Sequence, residues 1–146
     1  MQDVSATGMS VTIHSTVTIP VPTPITHFAD DQQPIETDPQ EVTGYGMGVN
    51  GDLVTHTKPA PCVVKLSIIP GTADDLLLYT LLRMNSAGSL VHAYDVVDMT
   101  VVYPNVSKPQ RYQNGKIVSG PIGETVSTEG KKSGKQYTFV FEKCVV

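Results

Sequence analysis

Few residues in this chain have types and spacings that could do chemistry. Gly46-Met47-Gly48-Val49-Asn50-Gly51 spells G-x-G-x-x-G, which cradles a pyrophosphate when a strand precedes it and a helix N-terminus follows. Here Gln40 to Thr43 precede it and the strand-like Asp52 to Thr57 follow it, so the glycines read as a hairpin or bulge and not as a dinucleotide site. His14, His27, His56 and His92 show neither HxH nor HxxxH spacing and lie away from any cysteine cluster. Zinc would need four such ligands to converge from distant positions, so these histidines read as structural or surface residues. Three carboxylate pairs remain. Asp74-Asp75 suits the first turn of a helix, Asp30-Asp31 a solvated loop, and Asp95 with Asp98 a turn into a strand. None comes with a nucleophile, a base and an orienting group as a set, so the expectation is no catalysis, no metal and no cofactor. Asn105-Val106-Ser107 is a glycosylation sequon by formula, without consequence where no secretory signal precedes it.

The elements that must position these residues follow mainly a period of two. Met9-Ser10-Val11-Thr12-Ile13-His14-Ser15-Thr16-Val17-Thr18-Ile19 places Met9, Val11, Ile13, Val17 and Ile19 on one face and hydroxyls with His14 on the other, a half-buried strand. Cys62 to Ile69 is a more continuously apolar strand ended by Pro70-Gly71, and Val96 to Tyr103 is another. Asp52 to Thr57 forms a further strand after Asn50-Gly51. Arg111 to Ser119 carries Asn114-Gly115, the dipeptide suited to a type I′ hairpin turn. Lys135 to Cys144 closes the chain with Tyr137, Phe139 and Phe141 directed to a core.

One segment departs from this period. Thr72 is placed to cap a helix over about residues 72–87, with Asp74 and Asp75 in its first turn and Gly88 past its end. Leu77, Leu78, Leu81, Leu82 and Met84 line one broad face for burial, widened by Leu76 and Tyr79. The whole reads as one domain over residues 1–146: an all-β sandwich or barrel of about six to eight antiparallel strands with one flanking helix.

Charge is distributed unevenly. Residues 1–57 hold seven carboxylates and no Lys or Arg, whereas all ten basic residues follow from Lys58 onward, for a net charge of -4. The scattered lysines of an acidic chain do not suit tight nucleic-acid binding. Pro20 to Val42 alone has five prolines and five carboxylates, Asp30, Asp31, Glu36, Asp38 and Glu41. This loop, about residues 20–43, is too long for an ordinary connection. It is expected to stay mobile until it reaches an adjacent copy, with Lys131, Lys132 and Lys135 as the basic partner surface. Met1 to Ser10 has neither the basic nor the apolar part of a signal peptide, and no apolar run approaches the ~20 residues of a membrane helix. The expectation is a cytosolic chain that does not insert in membranes, with Cys62 and Cys144 as buried thiols.

The succession of a polar-faced first strand, a long acidic loop, the run from Thr43 to Leu82 with its Pro-Gly break into an Asp-Asp-Leu-rich helix, Asp98 to Asn105, Tyr112 to Pro121 and Lys132 to Glu142 resembles the inner tail tube proteins of contractile-tailed bacteriophages, relatives of the type VI secretion tube component. The resemblance implies a homo-oligomer of hexameric rings stacked into a tube, with sheath, baseplate and tail-terminator proteins as partners. It implies DNA passing through the lumen without specific binding, and a location in the virion tail after assembly in the host cytoplasm. Ser10, Thr12, His14, Thr16 and Thr18 would then face the lumen, whose water suits a hydroxyl-rich face, while the acidic wall lets DNA slide. A carbohydrate-binding or adhesin-type sandwich shares the patterning but usually exposes aromatic platforms, and this chain has no Trp. A small β-barrel hydrolase would need a convergent polar site that the residues do not supply.

Overall fold

The computed structural model describes residues 8–87, 94–104 and 107–145. Alternating burial along β1 (Ser10–Ser15), β6 (Cys62–Ile68), β7 (Val97–Val102) and β9 (Lys135–Val145) lets these strands share one apolar face. With β2 (Thr23–Ile25), β3 (Ile35–Thr37) and β8 (Gln110–Ser119) they form a seven-stranded antiparallel sheet in the order β2-β1-β7-β8-β9-β6-β3, curled into a half-barrel. Val11, Ile13, Leu66, Ile68, Met99, Tyr137, Phe139 and Phe141 fill its inside, and Phe141 lies 5.5 Å from the Tyr112 ring and 6.2 Å from Phe139. Each such side chain, fully buried, is worth about 1.5–3 kcal/mol.

The helix α1 (Ala73–Met84) adds Leu78 and Leu81 to the same core, while Leu77 and Leu82 pack at its margin and Leu76 is exposed. Thr72 caps it as expected, its hydroxyl accepting from the Asp75 N–H at 3.3 Å. At the other end the Asn85 amide donates to Leu81 O at 2.8 Å, and the helix stops at Met84, short of residue 87. Gly88, expected to end it, lies outside the described residues, as do His92 and Asn105 of the sequon.

Several expectations change here. The first strand ends at Ser15 and not at Ile19, because the Ser15 hydroxyl accepts from Ile19 N at 2.8 Å and turns the chain; Val17 is therefore 56% exposed instead of buried. Asn114-Gly115 makes no hairpin. It is a bulge inside the continuous β8: Val97 pairs with Gly115 but Met99 with Tyr112, so β8 carries one extra residue. Asn114 takes the positive φ of 55° and donates its N–H to Asp98 at 3.1 Å. Gly115 passes so close to β9 that a Cβ there would lie 2.6 Å from Val140 O and strike the Phe141 ring. Long β-strands on both sides outweigh the turn preference of two residues.

Cys62 and Cys144 are joined as a disulfide, with Cα atoms 6.3 Å apart, and not held as separate thiols. The register of β9 between β6 and β8 brings them together, since Cys62 lies opposite Phe141 and Cys144 opposite Tyr112. The acidic loop is also placed differently. β2 pairs with β1 at one sheet edge and β3 with β6 at the other, and the link between them follows β6 through Ala29 N to Ser67 O (2.9 Å), Ile69 N to His27 O (2.9 Å) and Ser67 N to Pro34 O (3.1 Å). Two three-residue edge strands bordered by prolines leave little edge for unwanted pairing.

Candidate functional site

Three buried aspartates show how the polar residues are used. Asp75 accepts from Tyr137 OH at 2.7 Å, from Lys135 Nζ at 3.1 Å and from Gly71 N at 3.0 Å, which ties the helix start to β9. Asp74 accepts from the backbone N–H groups of Thr26 and His27, both at 2.9 Å, and meets His27 Nδ1 at 2.9 Å. Asp95 accepts from Val17 N and Thr18 N, each at 2.8 Å, and from Thr18 Oγ1 and Asn85 Nδ2. Burial alone would raise all three carboxyls. The hydrogen bonds to Thr26 and His27, to Gly71, Tyr137 and Lys135, and to Thr18, Asn85 and Val17 outweigh it and hold them below the ordinary aspartate range. Burial, and then the Asp75 carboxylate, push the Tyr137 hydroxyl far up, so it serves as a donor.

Helix capping is therefore only part of the role of Asp74-Asp75, and Asp95 is a hub that sequence reasoning placed at a turn without seeing its partners. Among the described residues, every buried side-chain polar atom has a partner, and no group of three His, Cys, Asp or Glu is placed to hold a metal.

The five hydroxyl and imidazole residues of the first strand do not share one face. Ser10, Thr12 and His14 stand on the face of β1 opposite the core, with Thr12 beside Thr100 and His14 3.9 Å from Asp98. Thr16 and Thr18 lie in the turn beyond β1, where Thr16 Oγ1 meets Tyr94 O at 3.4 Å and Thr18 binds Asp95. The acidic loop finds its complements in its own chain. Asp30 pairs with Lys131 (3.3 Å), Asp38 with Lys65 (3.2 Å) and Glu41 with Lys58 (2.8 Å); Asp31 accepts from Gly134 N, and Glu36 from Gln136 Nε2. Lys131, Lys132 and Lys135 form no common basic surface, for Lys132 pairs with Glu124 and Lys135 is buried with Asp75. Neither the docking of the loop nor its charge match requires a second copy.

Among the described residues, one exposed apolar surface lies where the sequence showed a glycine-rich turn. β4 (Thr43–Met47) and β5 (Leu53–Thr57) form a separate hairpin, and every residue of β5 is exposed. Its turn is closed by Gly51 N to Gly48 O (2.9 Å) and Gly48 N to Asp52 O (2.8 Å), with Gly51 at φ +83°, so the G-x-G-x-x-G pattern builds a hairpin end. Register puts Tyr45 opposite Thr55 and Met47 opposite Leu53, which gathers Tyr45, Met47 and Leu53 on one side; they are 77%, 66% and 64% exposed. Val49 at the turn is fully exposed. A signal was present in the sequence: Tyr45, Met47, Leu53 and Val54 are apolar on both sides of a glycine turn, more than a solvated hairpin needs.

A sequence profile of the family described as tail fiber protein gp32 matches residues 2–145. The chain belongs to that family. No curated protein matches the sequence. Among solved structures, the fold is similar to a chain in the sheath/tube terminator of the extracellular contractile injection system PVC in its extended state, with a TM-score of 0.62, 8% identity and coverage of 99% of this chain and 96% of that one. It is also similar to a chain of the tube terminating cap of the anti-feeding prophage (TM-score 0.57, 14% identity, 99% and 91% covered). A chain from the six-fold symmetrised baseplate of the same particle is alike to a similar degree (0.57, 12% identity, 99% and 95% covered). At these identities the likeness establishes a shared fold.

Proposed function

We propose that this chain is a structural, non-catalytic subunit of a contractile tail, located in the tail of a phage or phage-like particle and assembled in the host cytoplasm. The observation that carries the reading is the β4–β5 hairpin, whose apolar side is left exposed by the described residues. The tail family and the fold shared with chains of a tube terminator, a terminating cap and a baseplate support an assembly as its setting. At the finer level, copies form hexameric rings that stack into an inner tube inside a sheath, ending at a baseplate and a terminator, with DNA passing through. The solvent face of β1, with Ser10, Thr12 and His14, lines the passage, and the hairpin of each copy packs on a neighbouring copy.

Tyr45→Thr with Leu53→Thr tests this, because threonine keeps strand propensity while removing the apolar side. Both sites are exposed, so the variant should melt within about 0.5 kcal/mol of the parent. It should yield no rings or tubes by negative-stain imaging under conditions where the parent forms them. Normal tubes from the variant would end the assignment of the hairpin. The family's description as a tail fiber protein favours a second reading, an adhesin-type module. A parent chain that stays monomeric and is retained on a host-glycan array would establish that reading in place of the tube.

A further inference from the structure

The root of the hairpin is joined to the disulfide. Below β4 and β5 the two legs are held by Lys58 N to Val42 O (3.0 Å), by Glu41 with Lys58 (2.8 Å), and by the Gln40 amide, which donates to Pro61 O and contacts Cys62 Sγ, both at 3.2 Å. Cys62 opens β6 and is bonded to Cys144 near the end of β9. Cys144 and Gln40 both line an open groove of about 460 Å³ with Thr37, Asp38, Tyr103 and Gln110, and Cys144 is only partly buried. The bridge is therefore within reach of small thiols, unlike one sealed in a core.

We propose that Cys62–Cys144 is a redox-sensitive clasp that sets how firmly the β4–β5 hairpin is held to the sheet. This rests on the hairpin being an assembly arm. Opening follows thiol–disulfide exchange. A thiolate of a small dithiol attacks one sulfur and displaces the other as a thiolate, which takes up a proton. The second thiol of the reagent then releases the remaining sulfur, so two cysteine thiols form as the dithiol becomes a cyclic disulfide. Closing is the reverse transfer of two electrons, to a small oxidised disulfide such as oxidised glutathione. With the clasp open, Cys62 and the Gln40 contact lose their covalent tie to β9, and the two legs are held only by non-covalent contacts: their own ladder, Glu41 with Lys58, Gln40 with Pro61 O and Asp38 N with Val63 O. β7 pairs with β1 and β8 and neither carries nor pairs with a bridged cysteine.

The full-length chain tests the clasp before any assembly. Protein equilibrated with oxidised glutathione should take up no N-ethylmaleimide, and after dithiothreitol it should take up two. Hydrogen exchange over residues 40–61 should accelerate about tenfold on reduction, with β7 unchanged. Cys62→Ser with Cys144→Ser should show the fast rates under both conditions. Alkylation of the oxidised protein, or equal exchange over 40–61 in both states, would overturn the proposal. Both readouts come from the unassembled subunit, so they stand whether or not the Tyr45/Leu53 variant blocks tube growth.

Discussion

Asp75 accepts three hydrogen bonds where water barely reaches, and one of its donors is a nearly buried ammonium. Asp75→Ala would strand Lys135 and the Tyr137 hydroxyl together, at a cost of about 3–5 kcal/mol. Tyr137→Phe leaves the ion pair intact and should cost about 1 kcal/mol. Urea titrations of both variants measure the difference, and equal losses would show that the ion pair is not what anchors the helix to β9. Asp74, Asp75 and Asp95 also give the fold an acid limit. Their folded pKa values lie below the ordinary 3.8, so the unfolded chain binds protons more readily. Their contribution is whole above 3.8 and is lost as pH falls below it through the lower folded values. The urea midpoint should fall between pH 7 and about pH 3, and Asp95→Asn, which cannot take up the proton, should reduce the slope. A midpoint unchanged at the lower pH would refute this role.

At the scale of elements, the bulge in β8 bends a ten-residue strand so that Tyr112 and Ile117 both reach the core. Gly115 is a position where β9 passes too close for a Cβ. Gly115→Ala should cost about 1–3 kcal/mol through overpacking against Val140 and Phe141, measured as a lower melting temperature, and a variant as stable as the parent would show that the strands separate freely there. The glycine-rich hairpin β4–β5 differs in kind. Its strands pair with each other and supply none of the core residues, so substitutions on its apolar side should leave stability nearly unchanged.

On the scale of the whole molecule, a half-barrel has one face filled by the core and helix and another carrying Ser10, Thr12, His14 and Thr100. If copies close into a tube around that face, Thr12→Cys should react with a small maleimide before and after assembly. A polymer-linked maleimide should then reach it only before assembly, and equal reactivity toward both reagents in tubes would place the face outside. Much of the fold was legible in the sequence because its signals are local. Period-two alternation places β1, β6, β7 and β9, the Thr72 cap and leucine spacing place α1, and Asn50-Gly51 marks the hairpin end. What the sequence alone determined is thus β1, β5, β6, β7, β9 and α1 with most of the faces they direct inward, since neighbouring residues encode these, whereas the edge strands β2 and β3 inside the acidic loop and the unbroken β8 carry no such local signal. The tertiary structure alone decided the partners of distant residues: Asp75 with Tyr137 across 62 positions, Cys62 with Cys144 across 82, and the acidic loop against β6. Such pairings depend on strand order and register, which arise from packing the whole sheet at once, and no local pattern carries them.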